Sequence, residues 1–200
     1  MARKTRLEMM EETRAKLIGA ARKAFAENGY AEASMDDLTA AVGLTRGALY
    51  HNFGDKRGLL AAVVHAIDME MAARAKDAAS AAPTEWEGLL AEGTAYIRMA
   101  LEPEVQRIVL LDGPAFLGDP SQWPSQNLCL QSTVEKVRSL IEAGTMRPVD
   151  AEAAARLMSG AALNAALWVA ASRDPEEVLS RATEAFRCMM EGFLSERKAA

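Results

Sequence analysis

The stretch SMDDLTAAVGLTRGALYHNFGDK, residues 34–56, decides the fold because it contains two short helical patterns joined by a tight turn. Ser34 can cap the first helix, which we expect to begin at about Met35. Leu38 and Val42 give this helix an apolar face, since residues four positions apart lie on the same side. Gly43 then favours the left-handed backbone conformation that ends a helix.

The second pattern begins directly after the turn. Thr45 can cap a helix with Leu49 and Phe53 as its apolar face, and Gly54 ends it. The connection between the two patterns has about three to four residues and contains a glycine, which is typical of a helix-turn-helix. A short helical hairpin inside an all-α core has the same local pattern and is the alternative interpretation.

The polar side of the second helix favours DNA binding. Small residues near its N-terminus let the backbone approach base edges, and this end of a recognition helix is where bases are contacted. Arg46 can bind a guanine in bidentate fashion, whereas Tyr50, His51 and Lys56 suit phosphate oxygens. The predicted DNA-contacting residues are Ser34, Thr45, Arg46, Gly47, Ala48, Tyr50, His51, Asn52 and Lys56.

From Thr13 to about Val64 the chain resembles the N-terminal domain of the TetR family of bacterial transcriptional regulators. The matching residues read LIGAARKAFAENGYAEASMDDLTAAVGLTRGALYHNFGDKRGLLAAVV, and several independent features fall at the spacing of the family. One position departs from the pattern. Asn52 stands where family members often have His, with His51 beside it, and an Asn amide can still donate a hydrogen bond there.

Length and charge indicate a small head and a larger body. Half of the 200 residues are hydrophobic, which is enough for a sizeable core. Residues 1–60 carry ten Lys and Arg against eight Asp and Glu, a net charge of +2, whereas the rest carries thirteen against twenty, a net charge of −7. A basic head keeps the DNA-facing end attractive. We predict a DNA-binding domain at 1–55 and an effector-binding and dimerisation domain at 56–200, with helix 56–79 shared as the link.

The rest of the chain predicts an all-α fold of about nine helices, without strand-like alternation. The first helix is expected at about 11–28, and the basic segment 1–12 ahead of it is either an arm that reaches DNA or a frayed terminus. The body helices follow the break at 81–84. They are expected at 85–101, from Pro103 with a break or kink at Pro114, and at about 125–143, 150–172 and 175–197.

The last two helices carry apolar stripes that are wide enough to serve a core and leave apolar surface over. In the TetR family the final two helices of each subunit form a four-helix bundle with their two-fold mates, so the resemblance implies a homodimer. Packing within one chain is the alternative. The predicted interface residues are Leu157, Ala161, Ala165, Trp168, Ala182, Phe186, Met189 and Phe193.

The middle helices are candidates for an effector pocket, which is normally apolar with a few convergent polar groups. Asp112 follows an apolar run, where an unpaired carboxylate is expensive to bury. Its partner is Arg107, Gln131, Asn164, Arg138 or a ligand; an aromatic core with one surface Asp is the alternative. The predicted pocket residues are Trp86, Tyr96, Met99, Arg107, Asp112, Phe116, Trp123, Asn164 and Trp168.

Other functional classes find little support. His51 and His65 lie near no nucleophile, and no glycine-rich loop suits a phosphate, so we expect neither an enzyme nor a cofactor. Cys129 and Cys188 are isolated, which predicts no metal site and favours packing over a redox pair. No apolar run approaches the roughly twenty residues that span a bilayer, and no secretory segment follows Met1. We expect a cytoplasmic protein with no membrane partner.

Taken together, these patterns predict a ligand-responsive transcriptional repressor. Its expected partners are a double-stranded DNA operator, an unknown small-molecule effector and a second copy of the chain. As the resemblance implies, the homodimer binds a (pseudo)palindromic operator and is released when the small molecule binds the C-terminal domain. A helical protein-interaction module that has lost DNA binding is the alternative, and a helical enzyme is a much weaker one.

Overall fold

A computed structural model describes residues 5–195 and shows an all-α protein. The described residues contain no strand apart from one isolated bridge between Met146 and Leu194. Two further helical segments are a π-helical one, Val105–Asp112, and a 3-10 turn, Pro120–Gln122. The predicted fold class is confirmed. The helices are α1 (Arg6–Asn28), α2 (Met35–Ala41), α3 (Arg46–Phe53), α4 (Lys56–Ser80), α5 (Glu85–Met99), α6 (Gly113–Leu117), α7 (Pro124–Glu142), α8 (Ala151–Ala171) and α9 (Pro175–Glu191).

Helix α1 begins at Arg6, earlier than the sequence pattern suggested, because Thr5 forms a capping box. The Thr5 hydroxyl accepts a hydrogen bond from the Glu8 N–H at 3.2 Å, and the Glu8 carboxylate accepts one from the Thr5 N–H at 2.6 Å. Residues 6–12 are therefore helical and not frayed, and a contact of this segment with DNA stays a prediction. Residues 1–4 lie outside the described part of the chain.

Helices α1, α2 and α3 form the head around a small apolar core. Leu17, Phe25 and Leu49 are completely buried, and Leu38 is nearly so. Gly43 has a φ of +66° in the turn between α2 and α3, a conformation that side chains rarely adopt. Gly43 therefore permits the tight turn between α2 and α3.

Helix α4 belongs to both parts of the molecule. It packs against α1 and α3 of the head, and against α5 and α7 of the body. Its buried stripe runs from Leu59 to Ala75. Helix α4 is therefore a continuous connection between the head and the body.

The segment around Pro114 continues as a helix, so the break that the sequence predicted is absent and the helix changes from π to α geometry there. The Gly113 N–H donates to the carbonyl of Ile108, five residues earlier, which is the π-helical pattern. In an α-helix a proline ring crowds the carbonyl four residues before it. The wider π turn accommodates Pro114, so α6 follows without interruption.

The C-terminal helices close the body. Helix α9 ends at Glu191, not near residue 197, because the chain then pairs with the loop before α8: the Arg147 N–H donates to the Phe193 carbonyl at 2.9 Å. Helix α8 is long and apolar enough to cross a membrane by length and composition, which the sequence reading had not recognised. It packs instead against α5, α7 and α9, with Ala155, Ala166 and Val169 fully buried.

Candidate functional sites

The outer side of α3 is open to solvent. Thr45 caps the helix by accepting the Ala48 N–H at 3.2 Å, while Leu49 is completely buried on the inner side. The outer side exposes polar and small residues, so α3 is not a hairpin enclosed in a core. The exposed members of the predicted set on this helix and its cap are Thr45, Arg46, Gly47, Tyr50 and His51.

Arg46 is held between the two helices of the motif. Its Nε lies 3.3 Å from Asp36 Oδ1 on α2, and its Nη2 donates to the Tyr50 hydroxyl at 3.3 Å. The Tyr50 hydrogen bond and then the Asp36 carboxylate raise the pKa of the guanidinium. An exposed pair of this kind orients the side chain more than it stabilises the fold. Asp36 was not among the predicted residues, because its spacing to Arg46 depends on the turn.

Two residues that the sequence predicted to contact DNA form hydrogen bonds within the protein. Asn52 Nδ2 donates to the Ala48 carbonyl at 2.7 Å, and Lys56 Nζ donates to the Ala31 carbonyl at 3.0 Å and lies over the Tyr30 ring. A DNA phosphate must compete with these contacts, so the roles of Asn52 and Lys56 remain predictions. Ser34 caps α2 through the Asp37 N–H, as its pattern predicted.

Asp112 joins the body to the head. Its Oδ2 accepts the Tyr30 N–H at 2.8 Å and lies 3.5 Å from Arg107 Nε. The Arg107 guanidinium covers Gly29, where an added Cβ would lie 1.9 Å from Nη2. The Phe116 ring packs against the Tyr30 ring in a tilted arrangement, with ring centroids 4.4 Å apart. Arg107, Asp112 and Phe116, which the sequence suggested for a pocket, are therefore brought together at the junction of head and body.

A second set of contacts strengthens this junction. Arg22 of α1 binds Glu70 of α4 at 2.7 Å and Glu104 at 2.6 Å. Arg57, at the start of α4, donates to the Phe116 carbonyl at 3.0 Å. No sequence spacing indicated these pairs, because each joins elements that are far apart in the chain.

A cavity lies in the body between α4, α5, α7, α8 and α9. Its volume is about 90 Å³. This is smaller than the roughly 150 Å³ of an apolar cavity that holds a benzene molecule. Of the predicted pocket residues, Tyr96 lies here. The lining residues are Asp68, Ala72, Ala75, Leu89, Glu92, Gly93, Tyr96, Gln126, Cys129, Thr133, Met158, Ser159, Ala162, Phe186 and Met190.

Asp68 is the main polar group of this cavity, and it is only 2% exposed. Gln126 Nε2 donates to both carboxylate oxygens, at 3.0 and 3.1 Å. Burial raises the pKa of Asp68, against the hydrogen bonds from Ser125 and Gln126. Burial and the nearby Asp68 also raise the pKa of Tyr96, which keeps its hydroxyl protonated. An aspartate on the apolar stripe of α4 was the signal in the sequence, and it was overlooked.

The remaining predicted pocket residues lie elsewhere. Met99 is buried in the core. Trp123 is buried too, with its ring over Gly113, and it lines a second cavity beside Arg57 and Leu117. Trp86 is partly buried against the same core. Asn164 and Trp168 lie on the exposed side of α8. Aromatic content alone did not separate pocket from core, because large apolar side chains serve both.

The outer face of α8 and α9 exposes apolar side chains. Leu157, Trp168 and Met189 are 65, 46 and 39% exposed, and Arg181 of α9 lies over the Trp168 ring at 5.5 Å. Ala161, Ala165 and Phe193 are partly buried. We refer to these six apolar residues as the outer face.

Ala182 and Phe186 do not reach the outer face. Both are buried within the subunit, and Phe186 lies so close to Gly93 that an added Cβ there would be 2.6 Å from its ring. Their side chains point inward because α9 also covers the cavity. Cys129 lines the cavity as a free thiol whose pKa is raised by burial, and Cys188 is free and exposed.

Comparison with known proteins agrees with this arrangement. A family described as "Bacterial regulatory proteins, tetR family" matches residues 17–63, and one described as "Tetracyclin repressor-like, C-terminal domain" matches residues 86–193. The chain belongs to the TetR family. It is a helix-turn-helix transcriptional regulator and not an enzyme.

Individual relatives of this TetR-family chain support the assignment. The HTH-type transcriptional repressor AcnR of Corynebacterium glutamicum is 30% identical over 138 residues, which cover 68% of this chain and 69% of AcnR. The HTH-type transcriptional regulator SrpR of Pseudomonas putida is 44% identical over 64 residues, 32% of this chain and 30% of SrpR. The crystal structure of a TetR-family regulator from Pectobacterium atrosepticum is 48% identical, with a TM-score of 0.88, and the match covers 96% of this chain and 99% of that one.

Proposed function

We propose that this TetR-family protein is a ligand-responsive repressor. A homodimer binds a (pseudo)palindromic operator through two copies of α3, and a small molecule that enters the body cavity releases the DNA. The observation that supports this proposal most directly is that α4 extends from the end of α3 to the cavity. This helix begins at Lys56, directly after α3, and places the buried Asp68 in the cavity wall. One rigid element thus touches both sites.

The proposed DNA contacts follow from the open side of α3. Arg46 lies at the exposed N-terminus of α3, where side chains reach base edges, and Gly47 lets the backbone approach closely. Tyr50 lies one turn further along the exposed side, where its hydroxyl can bind a phosphate oxygen. Thr45 and Ser34 present capped helix N-termini to phosphates. Ala48, His51, Asn52 and Lys56 complete the proposed contact surface.

The proposed dimer forms through the outer face. One head buries little DNA, whereas two heads can read half-sites about one helical turn apart. Exposed Leu157 and Trp168 supply an apolar surface that a second copy can cover. Leu157→Glu is expected to produce monomers in analytical ultracentrifugation. The control is Leu128→Glu, which changes a 56% exposed leucine on α7 instead of α8 or α9. Dissociation by both variants, or by neither, would contradict the assignment.

Release requires only that the ligand prefers one arrangement of α4. A coupling free energy of about 1–3 kcal/mol between the two sites is sufficient. The cavity is small in the present arrangement, so a ligand larger than its volume must displace a wall residue. Because α4 forms part of that wall, the displacement reaches α3 and changes the separation of the two heads. Such a regulator acts in the cytoplasm, where the chromosome is accessible.

Selection of duplexes from random DNA by the full-length protein tests this proposal. We expect a symmetric site with two half-sites, and an affinity measured by fluorescence anisotropy that falls steeply with salt. Arg46→Ala is expected to relax base preference in one position of each half-site. Its control is Arg156→Ala, which removes an exposed arginine of the body.

Failure to enrich any duplex would favour the second candidate, a protein-interaction module without DNA binding. The contact of Asn52 with its own helix is the observation in favour of that alternative. A flat salt dependence would point in the same direction.

A further inference from the structure

The cavity contains a carboxylate that lacks a charged partner. Asp68 is 2% exposed, and within residues 5–195 no lysine, arginine or histidine lies at ion-pair distance from it. Its hydrogen bonds come from the neutral side chains of Gln126 and Ser125. A buried carboxylate is normally paired with a cation, because neutral donors replace its hydration only in part.

The other charged residues near the cavity do not supply Asp68 with a cationic partner. Glu92 also lines the cavity, but it is already paired with Lys136 of α7, so this pair carries no net charge. His65 lies one turn before Asp68 on α4 and acts through space to lower the pKa of that carboxyl, but its side chain is exposed to solvent. Asp68 is thus left as a carboxylate of the cavity without an ion-pair partner among the described residues.

The neighbours of Asp68 suit a positively charged group. Tyr96 and Phe186 contribute aromatic rings to the wall, and cations are attracted to aromatic faces. Gln126 Nε2, which donates to Asp68, also lies 3.5 Å from the Tyr96 hydroxyl. The Gln126 amide therefore occupies the position from which an ammonium group would donate hydrogen bonds to Asp68 and to the Tyr96 hydroxyl.

We propose that the cavity binds a small organic cation, with an ammonium head at Asp68 and an apolar body between α5, α8 and α9. The ammonium group displaces the Gln126 amide and forms the ion pair that Asp68 lacks. Leu89, Met158 and Met190 provide the apolar walls for the body of the ligand. This inference rests on the proposed function, since it names the chemical class of the effector.

Charge argues against the two other head groups. A carboxylate ligand would meet Asp68 at close range with no free cation to offset the repulsion. A ligand hydroxyl group can donate to Asp68, but it only replaces the neutral Gln126 amide with another neutral donor. An ammonium group donates to Asp68 as an alcohol does, and it also brings the opposite charge, so it forms an ion pair that a neutral donor cannot form.

Two matched series of probes test the head group on the full-length protein. Benzylamine, benzyl alcohol and benzoate share a ring, and hexylamine, hexanol and hexanoate share a chain. Binding is measured by isothermal titration at neutral pH. We expect at least one amine to bind roughly tenfold more tightly than its alcohol. The corresponding carboxylate is expected not to bind.

A pair of variants locates the charge. Asp68→Asn should reduce the preference for the amine over the alcohol to about onefold, since the amide keeps the size and loses the charge. Asp77→Asn, on the exposed side of the same helix, should leave the preference unchanged. The relative affinities of the wild-type protein for the amine, alcohol and carboxylate do not depend on any variant. They therefore still test the proposed ligand class if Asp68→Asn fails to fold.

Three results would overturn the inference: equal affinity for amine and alcohol, a preference for the carboxylate, or no amine binding in the millimolar range. Anisotropy of operator DNA with the same probes separates this inference from the proposed function. An amine that binds without releasing DNA supports the ligand class and contradicts the release mechanism. Release by an alcohol or a carboxylate alone supports the mechanism and contradicts the ligand class.

Discussion

The backbone N–H of Tyr30 donates to Asp112 Oδ2 at 2.8 Å, and this hydrogen bond joins the end of α1 to the π-helical segment. Tyr30 belongs to the DNA-binding head, whereas Asp112 belongs to the body. Arg107, 3.5 Å from the same oxygen, adds charge to the contact. The two residues are 82 positions apart in sequence. Because one lies in the head and the other in the body, the hydrogen bond restrains the orientation of the head relative to the body.

Removing the Asp112 carboxylate should destabilise the protein. Asp112→Ala leaves the partly buried Tyr30 N–H without an acceptor, and we expect the free energy of unfolding in urea to fall by about 1–3 kcal/mol. Asp112→Asn is the matched control, because its amide oxygen still accepts from Tyr30 while the charge opposite Arg107 is lost. A loss in the Asn variant as large as that in the Ala variant would assign the effect to charge instead of the hydrogen bond.

Asp36 should restrain DNA binding. It pairs with Arg46 on the outer surface of the motif, and its negative charge repels phosphates. We expect Asp36→Asn to raise the affinity for non-specific duplexes several-fold at low salt, measured by anisotropy. Glu27→Gln removes an exposed carboxylate from α1 that pairs with Lys23 instead of Arg46, and serves as the control. No gain, or an equal gain with the control, would show that Asp36 does not oppose DNA at this position.

Lys56 offers a test that distinguishes its two possible roles. If Lys56 binds a phosphate in the complex, Lys56→Ala should reduce the slope of log affinity against log salt by about one unit. If its ammonium group serves only the Ala31 carbonyl and the Tyr30 ring, stability falls and the slope stays unchanged. Parallel urea unfolding and salt titration of the same variant separate these outcomes. We expect the slope to change, since Lys56 lies at the N-terminus of α4 beside α3.

The head was predictable from the sequence because its signals are local. Ser34, Thr45 and Gly43 act through residues next to them, and Leu49 marks the buried side of α3 by simple periodicity. The early start of α1 was missed although Thr5 and Glu8 also form a local signal. Local capping chemistry thus predicts helix positions well when it is sought along the whole chain.

The body sites were less predictable because they depend on distant pairs. Asp112 stood out as a polar residue after an apolar run, but its partner Tyr30 lies in the other domain. Phe186 and Trp168 have similar apolar character, yet one faces the cavity and the other faces solvent. Which side of a helix meets the cavity is decided by packing between helices, and periodicity alone does not contain that information.

Asp68 should make the stability of the ligand-free protein depend on pH. Burial raises its pKa in the folded state, so below the pKa of the unfolded chain, about 3.9, the group is protonated in both states and has no effect. As the pH rises, the unfolded chain loses its proton first, and folding is progressively penalised until the folded pKa is passed. Asp68→Asn should therefore raise the free energy of unfolding at neutral pH, by on the order of 1 kcal/mol, and this gain should vanish in acid. Urea unfolding across the pH range, with the exposed Asp77→Asn as control, measures the difference. A gain that persists at low pH would show that the effect of Asp68→Asn is one of packing and not of charge.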